Sequence, residues 1–172
     1  MKKLLLTAAL LLPVGAHAIL IDGPSAHVFL GGSSSTLDVV AGADISVNSS
    51  NKSISGAGFD LVFNISGGVL QGGIGFSGFR HTFNISGGLL GGPITGSGFD
   101  HVFNFTGFDL VRSGNTITGT LLDGSLINTT TLVSGPGHVY NIINVPRVSE
   151  PGTLALLGLA IGGLLAARRR LA

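Results

Sequence analysis

Apolar and polar residues alternate with a period of two through the middle of the chain. In the segment 59–66 the odd-numbered positions are apolar: Phe59, Leu61, Phe63 and Ile65. The even-numbered positions include Asp60, Asn64 and Ser66. Such alternation predicts a half-buried β-strand. We therefore expect an all-β domain with the odd-numbered side chains of this segment in its core.

The pattern recurs in tandem between positions 58 and 107. Three copies begin at Gly58, Gly78 and Gly98 and share the order Gly-Phe-x-x-x-Phe-Asn. Two weaker echoes are His-Val-Phe, which begins at His27, and His-Val-Tyr-Asn, which begins at His138. Tandem repeats with this spacing indicate one supersecondary unit that is copied along the chain.

Pairs of small residues divide the repeats into short strands. Two-residue hairpin turns are predicted at Gly67-Gly68, Ser77-Gly78, Gly87-Gly88 and Ser97-Gly98. The strands between these turns are 59–66, 69–76, 79–86, 89–96 and 99–106. In the resulting antiparallel register, Phe63, Gly72, Phe83, Gly92 and Phe103 form one row, and one face stays mainly apolar.

This register predicts an antiparallel meander within a β-sandwich. Phe63, Phe83 and Phe103 should be buried, and Asn64, Asn84 and Asn104 should be exposed on the opposite face. The second layer of the sandwich would come from strands near 27–30, 36–47, 108–112, 115–122, 125–133 and 138–144.

Pro93 favours a different arrangement, because proline removes a ladder hydrogen bond from a central strand. A β-solenoid with one coil per repeat would place Pro93 at a corner. Such a solenoid would stack Phe59, Phe79 and Phe99, and likewise Asn64, Asn84 and Asn104. The solenoid remains the alternative, and parallel pairing of 59–66 with 79–86 would distinguish it from the meander.

The segment 1–18 is typical of a secretory signal peptide. Lys2 and Lys3 supply the positive charge, and an apolar run follows at 4–12. Ala16 and Ala18 fit an A-x-A cleavage site, so signal peptidase should release a chain that begins at Ile19.

The other end has three parts in a fixed order. Val148, Ser149, Glu150 and Pro151 precede an uncharged apolar segment at 153–167, and Arg168, Arg169 and Arg170 follow it. With Gly152 included, a helix here would be about 24 Å long, whereas the hydrocarbon core of a bilayer is about 30 Å thick. A single transmembrane helix of this length suits a temporary membrane stop, with its arginines on the cytoplasmic side.

This tail resembles the PEP-CTERM sorting signal of Gram-negative bacteria. Glu150-Pro151, the apolar segment and the arginine cluster match that signal, whereas Ser149 stands where the family usually has its first proline. The resemblance implies recognition by a membrane-embedded exosortase, removal of the tail and export linked to exopolysaccharide. A plain tail anchor is the alternative.

The chain therefore divides into a signal peptide at 1–18, an extracytoplasmic all-β domain at 19–146 and a sorting signal at 147–172. The whole chain has a formal net charge of +1. The domain at 19–146 has three basic residues, Lys52, Arg80 and Arg112, against seven aspartates, which gives −4. Because it lacks a basic patch, no nucleic-acid partner is expected.

Candidate chemistry in the domain is sparse. The chain has no cysteine, which excludes disulfides and thiol nucleophiles. Residues 73–78 match G-x-G-x-x-G, but a predicted strand follows where a dinucleotide site needs a helix. Calcium binding needs clustered oxygen ligands, and no D-x-D pair occurs.

Histidines and aspartates also favour structural roles. In the meander, His81 and His101 lie two strands apart, about 9.6 Å, which is too far to share one metal. Paired-carboxylate hydrolysis would draw on Asp60, Asp100, Asp109 and Asp123, which are more simply explained as turn residues. Six N-x-S/T sequons begin at Asn48, Asn51, Asn64, Asn84, Asn104 and Asn128, either as glycosylation sites or as part of a polar strand face.

The sequence thus predicts no catalytic, cofactor-binding or metal-binding residue. We expect an exported, non-enzymatic surface or matrix protein that passes through the inner membrane to the cell surface or beyond. Its expected partners are signal peptidase, exosortase and extracellular polysaccharide. A carbohydrate-binding β-sandwich module is the first alternative, and a secreted hydrolase is the second.

Overall fold

A computed structural model describes residues 18–147 of the 172-residue chain. Within this range the chain forms strands and no helix. The strands are β1 (Ala18–Ile21), β2 (Pro24–Ser25), β3 (Val28–Ser33), β4 (Thr36–Val39), β5 (Asp44–Ile45), β6 (Lys52–Phe59), β7 (Val62–Leu70), β8 (Gly73–Phe79), β9 (Thr82–Leu90), β10 (Ile94–Phe99), β11 (Val102–Ser113), β12 (Thr116–Leu121), β13 (Leu126–Ser134) and β14 (Val139–Asn144). The predicted all-β class is confirmed.

The strands of the repeat region pair in parallel with strands one repeat away. In β7, β9 and β11 the partners are Asn64, Asn84 and Asn104, which occupy the same position in successive copies of the repeat. In β6, β8 and β10 they are Phe59, Phe79 and Phe99. Each coil of the repeat therefore contributes one strand to each of two parallel sheets.

The predicted antiparallel meander is wrong, and the pairing is that of the β-solenoid alternative. Gly67-Gly68 and Gly87-Gly88 lie inside β7 and β9 instead of forming hairpin turns. Ser77-Gly78 and Ser97-Gly98 lie inside β8 and β10. Pro93 lies between β9 and β10, where it interrupts no ladder.

We call the two layers sheet A and sheet B. Sheet A is formed by β1, β4, β7, β9, β11 and β14, and sheet B by β3, β6, β8, β10 and β13, all parallel. β12 pairs antiparallel with β11 and β13 and joins the two sheets. The strands outside the repeats thus extend both layers instead of forming a second layer by themselves.

The chain turns from sheet B to sheet A at one corner in each coil, which is Gly-Phe-Asp at 58–60 and 98–100 and Gly-Phe-Arg at 78–80. Gly78 has φ 124°, and a Cβ there would collide with the carbonyl oxygen of Gly58 in the coil before. Asp60, Arg80 and Asp100 follow with φ of 53°, 54° and 58°. These left-handed residues change the direction of the chain, so the residue before them and the residues after them no longer share one face.

The core lies between the sheets. Phe63, Phe83 and Phe103 are fully buried, as predicted, and stack at 4.7 and 4.8 Å between ring centroids. Phe76 of sheet B packs against Phe83 at 4.7 Å. Phe59, by contrast, is 49% exposed, so the prediction that Phe59 and Phe63 share a face is wrong, because the corner at Asp60 lies between them.

Candidate functional site

A ladder of side-chain amides runs along the outer face of sheet A. The amide nitrogen of Asn64 donates to the carboxylate of Asp38 at 2.7 Å, and Asn84 donates to Asn64 at 2.8 Å. Asn104 donates to Asn84 and Asn141 to Asn104, both at 2.7 Å. Asn64, Asn84 and Asn104 therefore lie on the predicted face but are only partly exposed, because each covers its neighbour.

The ladder gives three of the six sequons a structural role. Asn64, Asn84 and Asn104 each donate one hydrogen bond and accept one from the next coil. This arrangement favours the polar strand face over glycosylation as the reason for asparagine at these positions.

Three histidines form a stacked column behind the corners. The rings of His81 and His101 are 4.9 Å apart, and those of His101 and His138 are 5.0 Å apart. The predicted separation of two strands between His81 and His101 is therefore wrong, because parallel pairing makes their strands neighbours. His81 and His101 are fully buried.

Each ring binds the backbone of the preceding coil. The N–H groups of Leu61, His81 and His101 donate to the Nδ1 atoms of His81, His101 and His138 at 3.3, 3.2 and 3.4 Å, respectively. An Nδ1 that accepts leaves the proton on Nε2, and His81 Nε2 lies 3.0 Å from the carbonyl oxygen of Ser77. His81 and His101 are therefore neutral imidazoles, and each of the three rings links its corner to the coil before it.

Burial disfavours the charged form of His81 and His101. It lowers the pKa of His81, and it is the main reason why the pKa of His101 falls to about 4, with the neighbouring His81 adding to the effect. Because the rings are stacked on successive strands, their nitrogen atoms do not converge on one point where a metal ion could bind. Among residues 18–147 no group of three histidine or acidic side chains is placed to hold a metal ion.

Charged residues line the corners on the surface. Arg80 binds Asp60 with two hydrogen bonds, at 2.7 and 2.8 Å, which hold the pKa of the Asp60 carboxyl below its usual range. A general acid in glycoside hydrolysis needs a raised pKa. The lowered pKa of Asp60 therefore suits its ion pair with Arg80 and does not suit a general acid.

Two of the other aspartates proposed for hydrolysis, Asp109 and Asp123, also have structural partners. Asp109 pairs with Arg147 at 3.0 Å. Asp123 accepts hydrogen bonds from the backbone of Gly88 at 2.6 Å and from Ser125. Burial alone would raise the pKa of Asp123, but these hydrogen bonds outweigh burial and lower it. These contacts fix loops, as the interpretation of the aspartates as turn residues predicts.

The remaining candidate features lie on regular strands. The G-x-G-x-x-G match at 73–78 is part of β8, and the strand β9 follows it.

A shallow groove between the corner at Pro93 and β13 is lined by uncharged residues: Leu90, Gly91, Gly92, Pro93, Asn128, Thr129, Thr130 and Leu132.

The weak echo at His138 extends three columns at once. His138 continues the histidine column, Tyr140 stacks on Phe103 at 4.8 Å, and Asn141 ends the amide ladder. Arg112 lies over the Tyr140 ring at 3.8 Å from its centroid. The match between His-Val-Tyr-Asn and His-Val-Phe-Asn of the third copy is the sequence signal for this last coil, whereas the role of Asp38 at the other end has no such signal.

The predicted processing residues lie at the margins of the structure. Ala18 is the first residue of β1. Ala16 and the tail, with Val148, Ser149, Glu150, Pro151 and the arginine cluster, lie outside the described residues. Across 18–147 no helix could cross a membrane.

The tail carries a short motif, an apolar segment and a basic cluster in the order expected of a sorting signal. The family model of the PEP-CTERM protein-sorting motif matches residues 147–170. The chain is therefore a PEP-CTERM domain-containing protein. The motif implies export, sorting by an exosortase and targeting to the cell surface. No curated protein and no solved structure matches the chain.

Proposed function

We propose that the protein is a non-enzymatic structural component of the cell surface or extracellular matrix, where it associates with exopolysaccharide. One observation carries this proposal: the polar side chains that could do chemistry form columns that hold the coils together. The amide ladder joins five residues from Asp38 to Asn141. The histidine column does the same behind the corners.

These columns suit a stack of coils that has to stay folded outside the cell. Each parallel strand adds about 4.8 Å to the length of the stack. In-register amide ladders and stacked aromatic rings are the interactions that stabilise cross-β assemblies. They stabilise the stack of coils without disulfides, which the chain cannot form because it has no cysteine.

The route to the surface follows from the two ends of the chain. Signal peptidase cuts after Ala18, and the segment 153–167 then halts in the inner membrane with Arg168–Arg170 on the cytoplasmic side. Exosortase recognises the motif at 148–151 and removes the tail. The domain at 19–146 then joins the cell envelope or the polysaccharide outside it.

A carbohydrate-binding module is the second candidate, and the outer face of sheet A favours it. A carboxamide has two N–H donors and two acceptor lone pairs, and the ladder uses one of each at Asn84. The remaining groups face outward at the spacing of the strands, which suits the hydroxyl groups of an extended glycan.

The first test compares cells with and without the exosortase. We expect a mature protein that ends before the apolar segment in the first case, and a membrane-bound protein with an intact C-terminus in the second. Intact mass and fractionation measure both. The same intact C-terminus in both cells would contradict exosortase sorting and would favour a plain tail anchor.

A second test separates the structural and carbohydrate-binding proposals. Cells that make or lack exopolysaccharide are fractionated, and the exported protein is applied to a glycan array. Retention with the polysaccharide but no selective glycan binding supports a structural role. Selective binding that Asn84→Asp abolishes supports the carbohydrate-binding module.

A further inference from the structure

The three sequons of the amide ladder hold their asparagines in place. In Asn64, Asn84 and Asn104 the amide nitrogen, which is the atom that a sugar would join, donates to the neighbouring coil at 2.7, 2.8 and 2.7 Å. All three side chains are only partly exposed. A glycan on one of them would crowd its neighbours, which lie about 4.8 Å away on the adjacent strands. The ladder therefore disfavours glycosylation of its own asparagines.

Two further sequons lie in the turn before β6, and both are engaged in the fold. The side-chain oxygen of Asn48 accepts two backbone N–H groups at 2.9 and 3.0 Å, and its nitrogen lies 3.4 Å from Nε2 of His27. The sequon of Asn51 has Ser53 as its hydroxyl residue. Ser53 is fully buried and donates to a backbone carbonyl at 2.8 Å. Because a sequon needs its serine or threonine as well as its asparagine, the folded domain does not present this one.

Asn128 on β13 differs from the other five sequon asparagines. It is exposed, and Thr130, the threonine of its sequon, is partly exposed. Side chains alternate along a strand, so Asn128 and Thr130 point outward together, whereas Thr129 between them is buried and donates to the carbonyl of Gly92 at 3.2 Å. Among residues 18–147 no side-chain hydrogen bond holds Asn128 or Thr130. The acceptor pair is therefore accessible, on a strand that is fixed from its inner side.

A groove beside Asn128 can hold a sugar ring. The groove has a volume of about 380 Å³, within the roughly 300–1,000 Å³ of small-molecule sites. Asn128 and Thr130 supply amide and hydroxyl groups, and Leu90, Pro93 and Leu132 supply apolar walls. The C–H groups of a sugar can pack on these walls while its hydroxyl groups bind the polar side chains. Because no charged residue lines the groove, it suits a neutral sugar.

Exposed leucines flank the sequon on the same outward face of β13. Leu126 is 73% exposed and Leu132 is 53% exposed. Across 18–147 no other large apolar side chain is as exposed as Leu126. Thr118, also exposed, lies opposite Asn128 on β12. A glycan on Asn128 would cover part of both leucines and remove apolar surface from water, which is favourable.

We propose that Asn128 is an N-glycosylation site whose donor is a glycan linked to a lipid diphosphate, transferred by a membrane enzyme outside the inner membrane. The amide nitrogen attacks C1 of the first sugar. The bond between C1 and Nδ2 forms, the bond from C1 to the diphosphate oxygen breaks, and the diphosphate leaves with the electron pair. A basic group of the transferase takes the proton that the amide nitrogen loses.

This site rests on export, which the sorting motif implies, and is independent of the proposed structural role. The glycan lies on the outer face of sheet B, whereas the amide ladder lies on sheet A. Attachment at Asn128 therefore leaves the ladder unaltered, and the folded domain accepts the product without rearrangement.

The test uses the exported protein from the cells that make it. Trypsin cuts after lysine and arginine, so 113–147 is a single peptide with Asn128 as its only sequon. Peptides 53–80 and 81–112 contain the three ladder asparagines. Each peptide is measured by mass spectrometry, and fragmentation locates any added mass. The same chain from a host without protein N-glycosylation gives the unmodified masses.

We expect peptide 113–147 from the native cells to be heavier by one glycan, with the added mass on Asn128. Asn128→Gln and Thr130→Val should each reduce the glycosylated fraction to background. Thr130→Ser keeps the hydroxyl group and should keep the glycan. Asn48→Gln, in another sequon, is the matched control and should leave the glycan on 113–147 unchanged.

An unmodified peptide 113–147 from the native cells would overturn the proposal, as would a glycan that fragmentation places on a threonine or that persists in Asn128→Gln. The natural chain gives the first two results without any variant, so a variant that fails to fold cannot hide them.

Polysaccharide retention and C-terminal processing are measured in the same cells. An unmodified 113–147 with normal retention and processing would overturn only the glycosylation site. A glycosylated 113–147 in a protein that the polysaccharide does not retain would overturn the proposed association with exopolysaccharide and would support the site.

Discussion

The side-chain amide of Asn84 donates a 2.8 Å hydrogen bond to the side-chain oxygen of Asn64, its partner in the neighbouring parallel strand. One coil further, Asn104 donates to Asn84 at 2.7 Å. Asn84 is therefore a donor and an acceptor at once, which a carboxamide can be and an ionised carboxylate cannot. The period of the sequence repeat is, in physical terms, the period of this ladder.

The first prediction concerns this double role. In Asn84→Asp the new carboxylate still accepts from Asn104 but cannot donate to Asn64, whose oxygen loses its partner. We expect the free energy of unfolding to fall by about 1–3 kcal/mol, measured by denaturant titration of the mature protein. Asn128→Asp, at an exposed position of β13, is the matched control. Equal losses in both variants would mean that the ladder adds no stability.

The second prediction concerns the buried ring stack. Phe83 lies between Phe63 and Phe103 and also contacts Phe76 across the two sheets. Phe83→Ala should lower the free energy of unfolding by about 3–5 kcal/mol, because a fully buried ring leaves a cavity. Phe79→Ser, at a side chain of β8 that is 36% exposed, should lower the free energy of unfolding far less. A loss below about 1 kcal/mol for Phe83→Ala would mean that this column is not core.

The sequence predicted the core of sheet A but not the pairing of its strands. Alternation correctly identified Phe63, Phe83 and Phe103 as buried, since period two holds within each strand. The alternation does not continue across Asp60. Its left-handed backbone, with φ 53°, turns the chain, so the side chains before and after it lie on different faces. Alternation describes one strand at a time and carries no information about whether the next strand runs parallel or antiparallel.

The prediction of hairpin turns at Gly67-Gly68 and Gly87-Gly88 is wrong for a related reason. Gly67 lies where the β7–β9 register shifts, and a Cβ there would be 2.7 Å from the backbone nitrogen of Ala41. Glycine in a strand marks a bulge or a close backbone approach as often as it marks a turn. The amide ladder and the histidine column depend on parallel pairing, so neither could be predicted from a meander.

The third prediction tests the corner. Gly78→Ala places a methyl group against the carbonyl oxygen of Gly58 at φ 124°, so the coil must open. We expect a loss of more than about 3 kcal/mol, beyond the roughly 1–3 kcal/mol typical of strained backbone alone. Thermal unfolding measures it. Gly114→Ala is the control, because Gly114 also has positive φ, 59°, but open space around it. Similar losses would show that close approach of the coils does not require glycine.

The fourth prediction concerns acid. The pKa of His101 is lowered from 6.5 to about 4, mainly by burial. Between these two pH values the unfolded chain binds a proton at His101 that the folded chain does not. The stability that neutral His101 contributes is therefore fully present above pH 6.5 and is lost as the pH falls towards 4. The loss from His101 is at most about 3 kcal/mol, and His81, whose pKa is also lowered by burial, adds to it.

The measurement is the free energy of unfolding between pH 7.5 and pH 4. His101→Gln removes the titrating group, so this variant should be less stable than the natural protein at pH 7.5 but should lose less on acidification. The same pH slope in both proteins would mean that protonation of His101 does not control the acid response.

The last prediction concerns the tail, where charge and length act together. If it formed a helix, the apolar segment at 153–167 would be about 23 Å long, which is shorter than the roughly 30 Å hydrocarbon core. Its retention should therefore depend on the cytoplasmic arginines. Replacing Arg168, Arg169 and Arg170 with glutamine should reduce the processed fraction, whereas replacing them with lysine should preserve it. A proline disfavours helical geometry in the residue before it, and Glu150 supplies a single carboxylate for recognition, so we expect Glu150→Gln to block cleavage. Intact mass of the exported protein checks each variant. Normal processing in the glutamine triple variant and in Glu150→Gln would show that neither charge guides the exosortase.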